Sequence, residues 1–174
     1  MFSLTESLRA EIEKKAAELG QLSRAHNVLC TTVESCTAGG VSFAVTSVAG
    51  SSEWFDRGFV TYTNEAKEEL VGVSHATLTA YGAVSEETAW EMACGALHHT
   101  PKATISVSVT GIAGPGGAVA GKPVGTVCFG FAQRLADGSI VVESVTEHFE
   151  GNRETVRLRS ILRALTGLCA LACR

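Results

Sequence analysis

Ser35 stands where a short buried strand is predicted to end, and its hydroxyl is a candidate nucleophile. The β-branched run 28–33 precedes it and the small, apolar segment 38–49 follows it, which is typical of a strand turning into a helix. A serine hydroxyl is a poor nucleophile until a base takes its proton. Because the chain has only two aspartates and its five histidines have no evident orienting partner, an aspartate-oriented triad is poorly supported.

Lys67 is the natural candidate for the base, because a lysine held neutral by burial can replace histidine in such sites. It follows Tyr62 in the segment 62–67, where a predicted strand passes into a helix, so both side chains could face the ligand edge of the sheet. Two ordinary interpretations stay open at this point. Lys67 alone is most often a solvated helix lysine, and Ser35 could simply be the N-cap of the helix behind it.

Cys36 is a rival nucleophile, since a thiol beside a helix N-terminus can have a lowered pKa and react at neutral pH. The motif contains no histidine next to it, and five other cysteines are scattered through apolar segments. A small buried packing residue is therefore the better interpretation of Cys36.

Residues 111–117 form a loop rich in glycine and proline, whose backbone N–H groups could cradle a phosphate or carboxylate. A loop that binds no ligand is the equal alternative. Residues 116–122 also fit the spacing of a P-loop. Pro123 stands where its magnesium-binding Ser or Thr belongs, however, and a strand follows, so a true P-loop is disfavoured.

Arg153 is a candidate phosphate partner. It falls in the first turn of the last predicted helix, which starts near Asn152, and there a guanidinium can reach into a cleft and bind phosphate bidentately. The other arginines of this helix spread around it, as solvated charges usually do.

Hydrophobic periodicity predicts the elements that must position these side chains. Helices are expected over 5–26, 65–71 with Asn64 as N-cap, 85–99 with Ser85 as N-cap, and from Asn152 onward. Strands are expected over 28–33, 58–63 and 103–110, followed by a hairpin of 125–133 and 139–149 that turns at Asp137-Gly138. Alternating strands and helices with a closing hairpin indicate an α/β fold, a three-layer α/β/α sandwich with a mixed, mostly parallel sheet. We expect one domain over 1–174, with its ligand beyond the carboxyl ends of the strands.

Composition excludes several classes of function. A formal charge of −4 and few aromatic residues argue against a nucleic-acid partner, and no apolar run reaches the length of ~20 residues that a membrane span needs. The N-terminus lacks the apolar core of a secretory signal, so we expect a cytoplasmic protein. Cysteine and histidine spacings predict neither a metal site nor a disulfide framework, and no cofactor is implied. Apolar helix faces would suit a symmetric homodimer.

Several ordered motifs together resemble one family, that of the CinA C-terminal domain, from about residue 5 to 170. The resemblance is carried by the segments 34–39, 50–52, 58–67, 82–85, 110–117 and 122–127. It implies a nicotinamide-nucleotide amidohydrolase, which converts nicotinamide mononucleotide to nicotinate mononucleotide and ammonia without a metal. Many relatives carry a second, N-terminal domain, and many have Asp where this chain has Asn152.

The resemblance also implies a role for each motif residue. It makes Ser35 the nucleophile, Lys67 its base and Tyr62 an assistant in proton transfer. In the mechanism that we hypothesise from these roles, backbone N–H groups near Cys36 and Thr37, at the helix start, stabilise the oxyanion. The substrate would be held by Thr110, Gly111 and Gly114, and its phosphate by Arg153. Two alternatives remain: a pyridine-nucleotide binding or regulatory module that has lost hydrolysis, and a hydrolase of another small amide or ester.

Overall fold

The computed structural model describes residues 3–174, which form a five-stranded sheet with helices on both faces. The elements, in chain order, are α1 (Leu4–His26), β1 (Cys30–Glu34), α2 (Gly40–Thr46), β2 (Phe55–Val60), α3 (Asn64–Val71), α4 (His75–Tyr81), α5 (Glu86–His98), β3 (Ile105–Gly111), β4 (Thr126–Arg134), β5 (Ile140–His148) and α6 (Arg153–Ala172).

The sheet is mixed, with strand order β2-β1-β3-β4-β5. β1 is parallel to both of its neighbours, whereas β4 is antiparallel to β3 and to β5. Four strands therefore run in one direction and only β4 opposes them. This confirms the predicted three-layer α/β fold with a mixed, mostly parallel sheet and a closing hairpin.

Apolar clusters are buried on both faces of the sheet. On one face α1, α2 and α6 cover the sheet, and Leu165 of α6 belongs to the same buried cluster as Val107 and Phe129. On the other face α5 lies across β1, β3, β4 and β5, and α3 and α4 pack beside it. Val33 of β1 is buried there with Met92 of α5, and a second cluster on this face includes Leu97 and Ala132. Burying each such side chain contributes roughly 1.5–3 kcal/mol. All five residues of β1 are buried because both faces of this central strand are covered.

The cap residues mostly follow the sequence signals. Ser85 accepts a hydrogen bond from the Thr88 N–H at 3.1 Å, as predicted. Asn152 caps α6 by accepting from Thr155, so the usual capping bond is made with Asn at this position. In the hairpin, Asp137 accepts from the Ser139 N–H, as a turn residue should.

Three local predictions were wrong. The N-cap of α3 is Thr63, whose hydroxyl accepts from the Ala66 N–H at 3.1 Å, while Asn64 is already helical. β2 begins at Phe55 rather than at residue 58. The helix after Ser35 starts only at Gly40, because Gly39 takes a left-handed backbone conformation with φ of 88°. Ser35 is therefore not an N-cap.

Candidate active site

Ser35 and Lys67 meet beyond the carboxyl ends of the parallel strands, where a ligand site is expected in such a sheet. Ser35 directly follows β1, and Lys67 lies in α3, which follows the neighbouring strand β2. They line a cavity of about 190 Å³. Its walls comprise Ser35, Cys36, Tyr62, Lys67, Ala83, Val84, Thr110, Gly111, Ala113 and Arg153.

The Lys67 ammonium group is in hydrogen-bond contact with the nucleophile candidate. Its Nζ lies 3.2 Å from Ser35 Oγ and 2.8 Å from the Thr61 carbonyl oxygen, and Lys67 is only 1% exposed. Among residues 3–174, no carboxylate lies within ion-pair distance of this nitrogen. Burial therefore lowers the pKa of Lys67 to about 8, because desolvation disfavours the charged form. A lysine in this state can accept a proton near neutral pH.

Cys36 lacks the environment of a reactive thiol. It is 5% exposed, and desolvation raises the pKa of its thiol to about 12. The helix that was expected to lower this pKa begins four residues further on, at Gly40. The structure therefore supports the interpretation of Cys36 as a buried packing residue, although it borders the cavity.

The turn between β1 and α2, residues 35–39, carries unpaired backbone donors. The Ser35 N–H donates to the Val109 carbonyl, and the Ala38 N–H donates to the Ser35 carbonyl. Within the described part of the chain, the N–H groups of Cys36 and Thr37 have no hydrogen-bond acceptor. Thr37 is fully buried, and unpaired buried N–H groups are rare in folded proteins. Such preorganised donors next to a nucleophile could stabilise an oxyanion.

The side chain of Thr37 is not available to a ligand. Its hydroxyl donates to the Glu34 carboxylate at 2.7 Å, and its carbonyl accepts from Arg157 at 3.0 Å. Thr37 lies behind Cys36 and outside the cavity lining, and its N–H is its one polar group without a partner in residues 3–174.

Glu34 and Arg157 both bind Thr37 in the turn beside Ser35, and the sequence reasoning missed these contacts. Glu34 lies inside the predicted motif, and a glutamate at the end of a buried strand is the signal that could have identified it. Arg157 was interpreted as solvated charge on α6, but it reaches the turn from 120 positions away in the chain.

Tyr62 and Arg153 lie together at the mouth of the cavity. The Tyr62 side chain is exposed, and its hydroxyl accepts a hydrogen bond from Arg153 Nη2 at 3.3 Å. Arg153 Nη1 donates to the Gly114 carbonyl at 2.7 Å. The Tyr62 hydroxyl makes no hydrogen bond to Ser35 or Lys67, so the structure does not bring it into the proton-transfer pair.

Thr110 and Gly111 form the β3 wall of the cavity. The Thr110 hydroxyl donates to the Ala83 carbonyl at 2.7 Å, which ties the loop before α5 to the end of β3. A Cβ at Gly111 would lie 2.8 Å from the Thr126 carbonyl oxygen, so this close approach requires glycine. Gly114 lies outside the cavity lining and takes part through its carbonyl, which Arg153 binds.

A larger open groove lies away from this cavity. Its volume is about 850 Å³, and it is lined by α1, α2, α6 and the Ala38–Gly40 backbone. Arg157 borders this groove, but neither Ser35 nor Lys67 does, so the serine–lysine pair does not face it. Residues 3–174 contain no cluster of His, Cys, Asp and Glu that could hold a metal ion. In the same range, no helix is long and apolar enough to cross a membrane.

The fold and the site together define a class: α/β/α layered proteins with a buried serine–lysine contact at the carboxyl edge of the parallel strands. Residues 12–172 match the CinA C-terminal domain, and this chain belongs to that family. The resemblance read from the motifs is thereby confirmed.

Similar proteins cover nearly the whole chain. Nicotinamide-nucleotide amidohydrolase PncC of Enterobacter agglomerans is 50% identical over 154 residues, which are 88% of this chain and 91% of the relative. The protein of the same name from Escherichia coli K12 is 45% identical over 91% of this chain and 93% of its own length. The crystal structure of competence/damage inducible protein CihA from Agrobacterium tumefaciens superposes with a TM-score of 0.83 at 42% identity. It covers 92% of this chain and 95% of that one.

Proposed function

We propose that this protein is an amidohydrolase that converts nicotinamide mononucleotide to nicotinate mononucleotide and ammonia. The observation that carries the proposal is the 3.2 Å contact between Lys67 Nζ and Ser35 Oγ inside a cavity. The names of two relatives that are 45–50% identical over about 90% of the chain supply the substrate class.

In the proposed acylation step, neutral Lys67 takes the proton of the Ser35 hydroxyl as Oγ attacks the carboxamide carbon. The carbonyl oxygen becomes an oxyanion and accepts hydrogen bonds from the N–H groups of Cys36 and Thr37. The Lys67 ammonium then gives its proton to the leaving nitrogen. The carbon–nitrogen bond breaks, ammonia departs, and the acyl group stays on Ser35.

Deacylation reverses the proton transfers. Lys67 takes a proton from a water molecule, the resulting hydroxide attacks the acyl carbon, and Ser35 leaves with the proton that Lys67 returns. The product is the carboxylic acid, which releases its proton to solvent and leaves as the carboxylate. Each step uses one base that alternates between its neutral and its protonated form, which the lowered pKa of about 8 makes accessible.

The size of the cavity indicates that only part of the substrate would lie inside it. At about 190 Å³ the cavity is smaller than the ~300 Å³ at which complete ligand pockets begin, so it fits the pyridine ring and its carboxamide. The ribose and phosphate would extend to the mouth, where Arg153 is the cation able to bind phosphate bidentately. Tyr62 would border the nucleotide there, and its hydroxyl would have to leave Arg153 to join proton transfer.

Ammonia release from nicotinamide mononucleotide tests the proposal, with Ser35→Ala and Cys36→Ala assayed in parallel. We expect ammonia from the wild type and from Cys36→Ala, whose thiol is only a packing group, and none from Ser35→Ala. No ammonia from the folded wild type would refute the enzyme and favour a binding module. Activity that survives in Ser35→Ala would place the nucleophile elsewhere.

A further inference from the structure

Glu34, the last residue of β1, is a fully buried acid directly before the nucleophile candidate. Its carboxylate accepts four hydrogen bonds. Oε1 accepts from the Ser42 N–H at 2.9 Å and the Ser42 hydroxyl at 2.8 Å. Oε2 accepts from the Val41 N–H at 2.9 Å and the Thr37 hydroxyl at 2.7 Å. A carboxylate has about four lone-pair sites, so each one is used.

These contacts place Glu34 where a helix cap normally stands. The residue at the N-cap of α2 is Gly39, which has no side chain to accept from the first helical N–H groups. Glu34 accepts from the N–H groups of Val41 and Ser42 instead. The same carboxylate therefore holds the start of α2 and, through Thr37, the turn that precedes it.

Thr37 is held at both of its remaining polar groups. Glu34 binds its hydroxyl from the β1 side, and Arg157 of α6 binds its carbonyl. These two contacts restrain the side chain of Thr37 and the peptide unit that follows it, while its N–H, in the preceding peptide unit, stays unpaired. An oxyanion donor must be preorganised in this way, because it cannot reorient during the reaction without cost.

We propose that Glu34 is a positioning residue that aligns the N–H groups of Cys36 and Thr37 with the oxyanion formed at Ser35. The inference rests on the proposed hydrolysis at Ser35. All four hydrogen bonds of the Glu34 carboxylate go to the turn and to α2, so it acts through the turn and not on the substrate itself.

Glutamine cannot replace Glu34 in this arrangement. Backbone donors approach both carboxylate oxygens, Val41 on one side and Ser42 on the other. An amide offers one oxygen and one NH₂ group, so in either orientation its NH₂ would meet a backbone N–H. The turn must then shift away from the observed geometry.

Two variants that each lack one hydroxyl group distinguish a role of Glu34 in positioning the turn from a role in the stability of the fold. Thr37→Val and Ser42→Ala each remove one hydroxyl donor to Glu34, but only Thr37 lies in the turn that carries the oxyanion donors. We expect Glu34→Gln and Thr37→Val to lower kcat for nicotinamide mononucleotide about 10- to 100-fold while KM changes less than about threefold. Ser42→Ala should keep kcat within about twofold of the wild type. Circular dichroism checks that each variant is folded.

A fluorophosphonate probe makes the test independent of the natural substrate. Ser35 Oγ forms a bond to phosphorus, fluoride leaves, and Lys67 takes the serine proton, while the P=O oxygen needs the same two N–H donors. Mass spectrometry of Ser35 should show labelling slowed about tenfold or more in Glu34→Gln and Thr37→Val, and unchanged in Ser42→Ala.

The outcomes distinguish the two proposals. Equal labelling and equal kcat in Thr37→Val and Ser42→Ala would overturn the positioning role, whether or not Glu34→Gln folds. If labelling is slowed in Glu34→Gln and Thr37→Val but not in Ser42→Ala, and the wild type releases no ammonia from nicotinamide mononucleotide, the proposed substrate is refuted. The positioning role of Glu34 is then retained. A wild type that is neither labelled nor active would refute both.

Discussion

The floor of the cavity, formed by Lys67 and the turn 35–39, and its mouth, formed by Tyr62 and Arg153, differ in burial and in how they are held. On the floor, the turn 35–39 is held by Glu34 from the strand and by Arg157 from α6, and its residues are mostly buried. At the mouth, exposed Tyr62 and Arg153 contact each other and the loop that contains Gly114. Catalytic groups that act on one bond of the substrate must be held in fixed positions. Side chains that bind the flexible ribose and phosphate must instead be long and mobile enough to follow them. The floor should therefore control kcat and the mouth KM.

The largest effect should come from removing the base on the floor. Lys67→Met keeps the apolar stem but has no nitrogen, so we expect kcat to fall by about 10³-fold or more with the fold retained. Ammonia release checks this, with Lys122→Met as the matched control, because Lys122 binds the Tyr81 carbonyl outside the cavity. Equal losses in both variants would contradict the assignment of Lys67.

The next largest effect should be the change of kcat/KM with pH. Lys67 acts when neutral, and its lowered pKa of about 8 means that the active form increases as pH rises. We expect kcat/KM to rise about tenfold per pH unit below 8 and to level above it. Initial rates from pH 6.5 to 9.5 check the slope. A flat or falling profile would show that the neutral lysine is not the base.

At the mouth, Arg153→Ala should raise KM and spare kcat. Loss of a charge-assisted hydrogen bond of about 1.5–3 kcal/mol corresponds to an increase in KM of about 10- to 100-fold. Arg159→Ala is the control, because Arg159 lies on the same helix and binds the Glu150 carbonyl outside the cavity. A fall in kcat with unchanged KM would place Arg153 with the floor.

The smallest effect should come from Tyr62→Phe, which removes only the hydroxyl. Because this hydroxyl binds Arg153 and not the Ser35–Lys67 pair, we expect a two- to threefold rise in KM, on the order of 0.5 kcal/mol. Tyr81→Phe, outside the cavity, serves as the control. A loss of kcat as large as that of Lys67→Met would instead establish Tyr62 in proton transfer and erase the distinction between floor and mouth.

The layered fold was predictable because strand and helix periods are local properties of the sequence. The Ser35–Lys67 pairing was also within reach, since both residues follow neighbouring parallel strands whose carboxyl ends share one edge. The contacts of Glu34 were not, because they require the left-handed conformation of Gly39 to bring Val41 and Ser42 back over the strand end. The hydrogen bond from Arg157 to the Thr37 carbonyl joins residues 120 positions apart, and local sequence patterns do not predict contacts over such a separation.

The turn after β1 also predicts a contrast in amide hydrogen exchange. The Ser35 N–H is bonded to the Val109 carbonyl at the centre of the sheet, so its exchange requires the strand ends to separate. The next two N–H groups, of Cys36 and Thr37, have no acceptor within residues 3–174, and only burial protects them. Occupation of the oxyanion position would slow exchange at these two amides and leave that of Ser35 unchanged. Exchange at these three consecutive peptide groups would therefore report site occupancy directly.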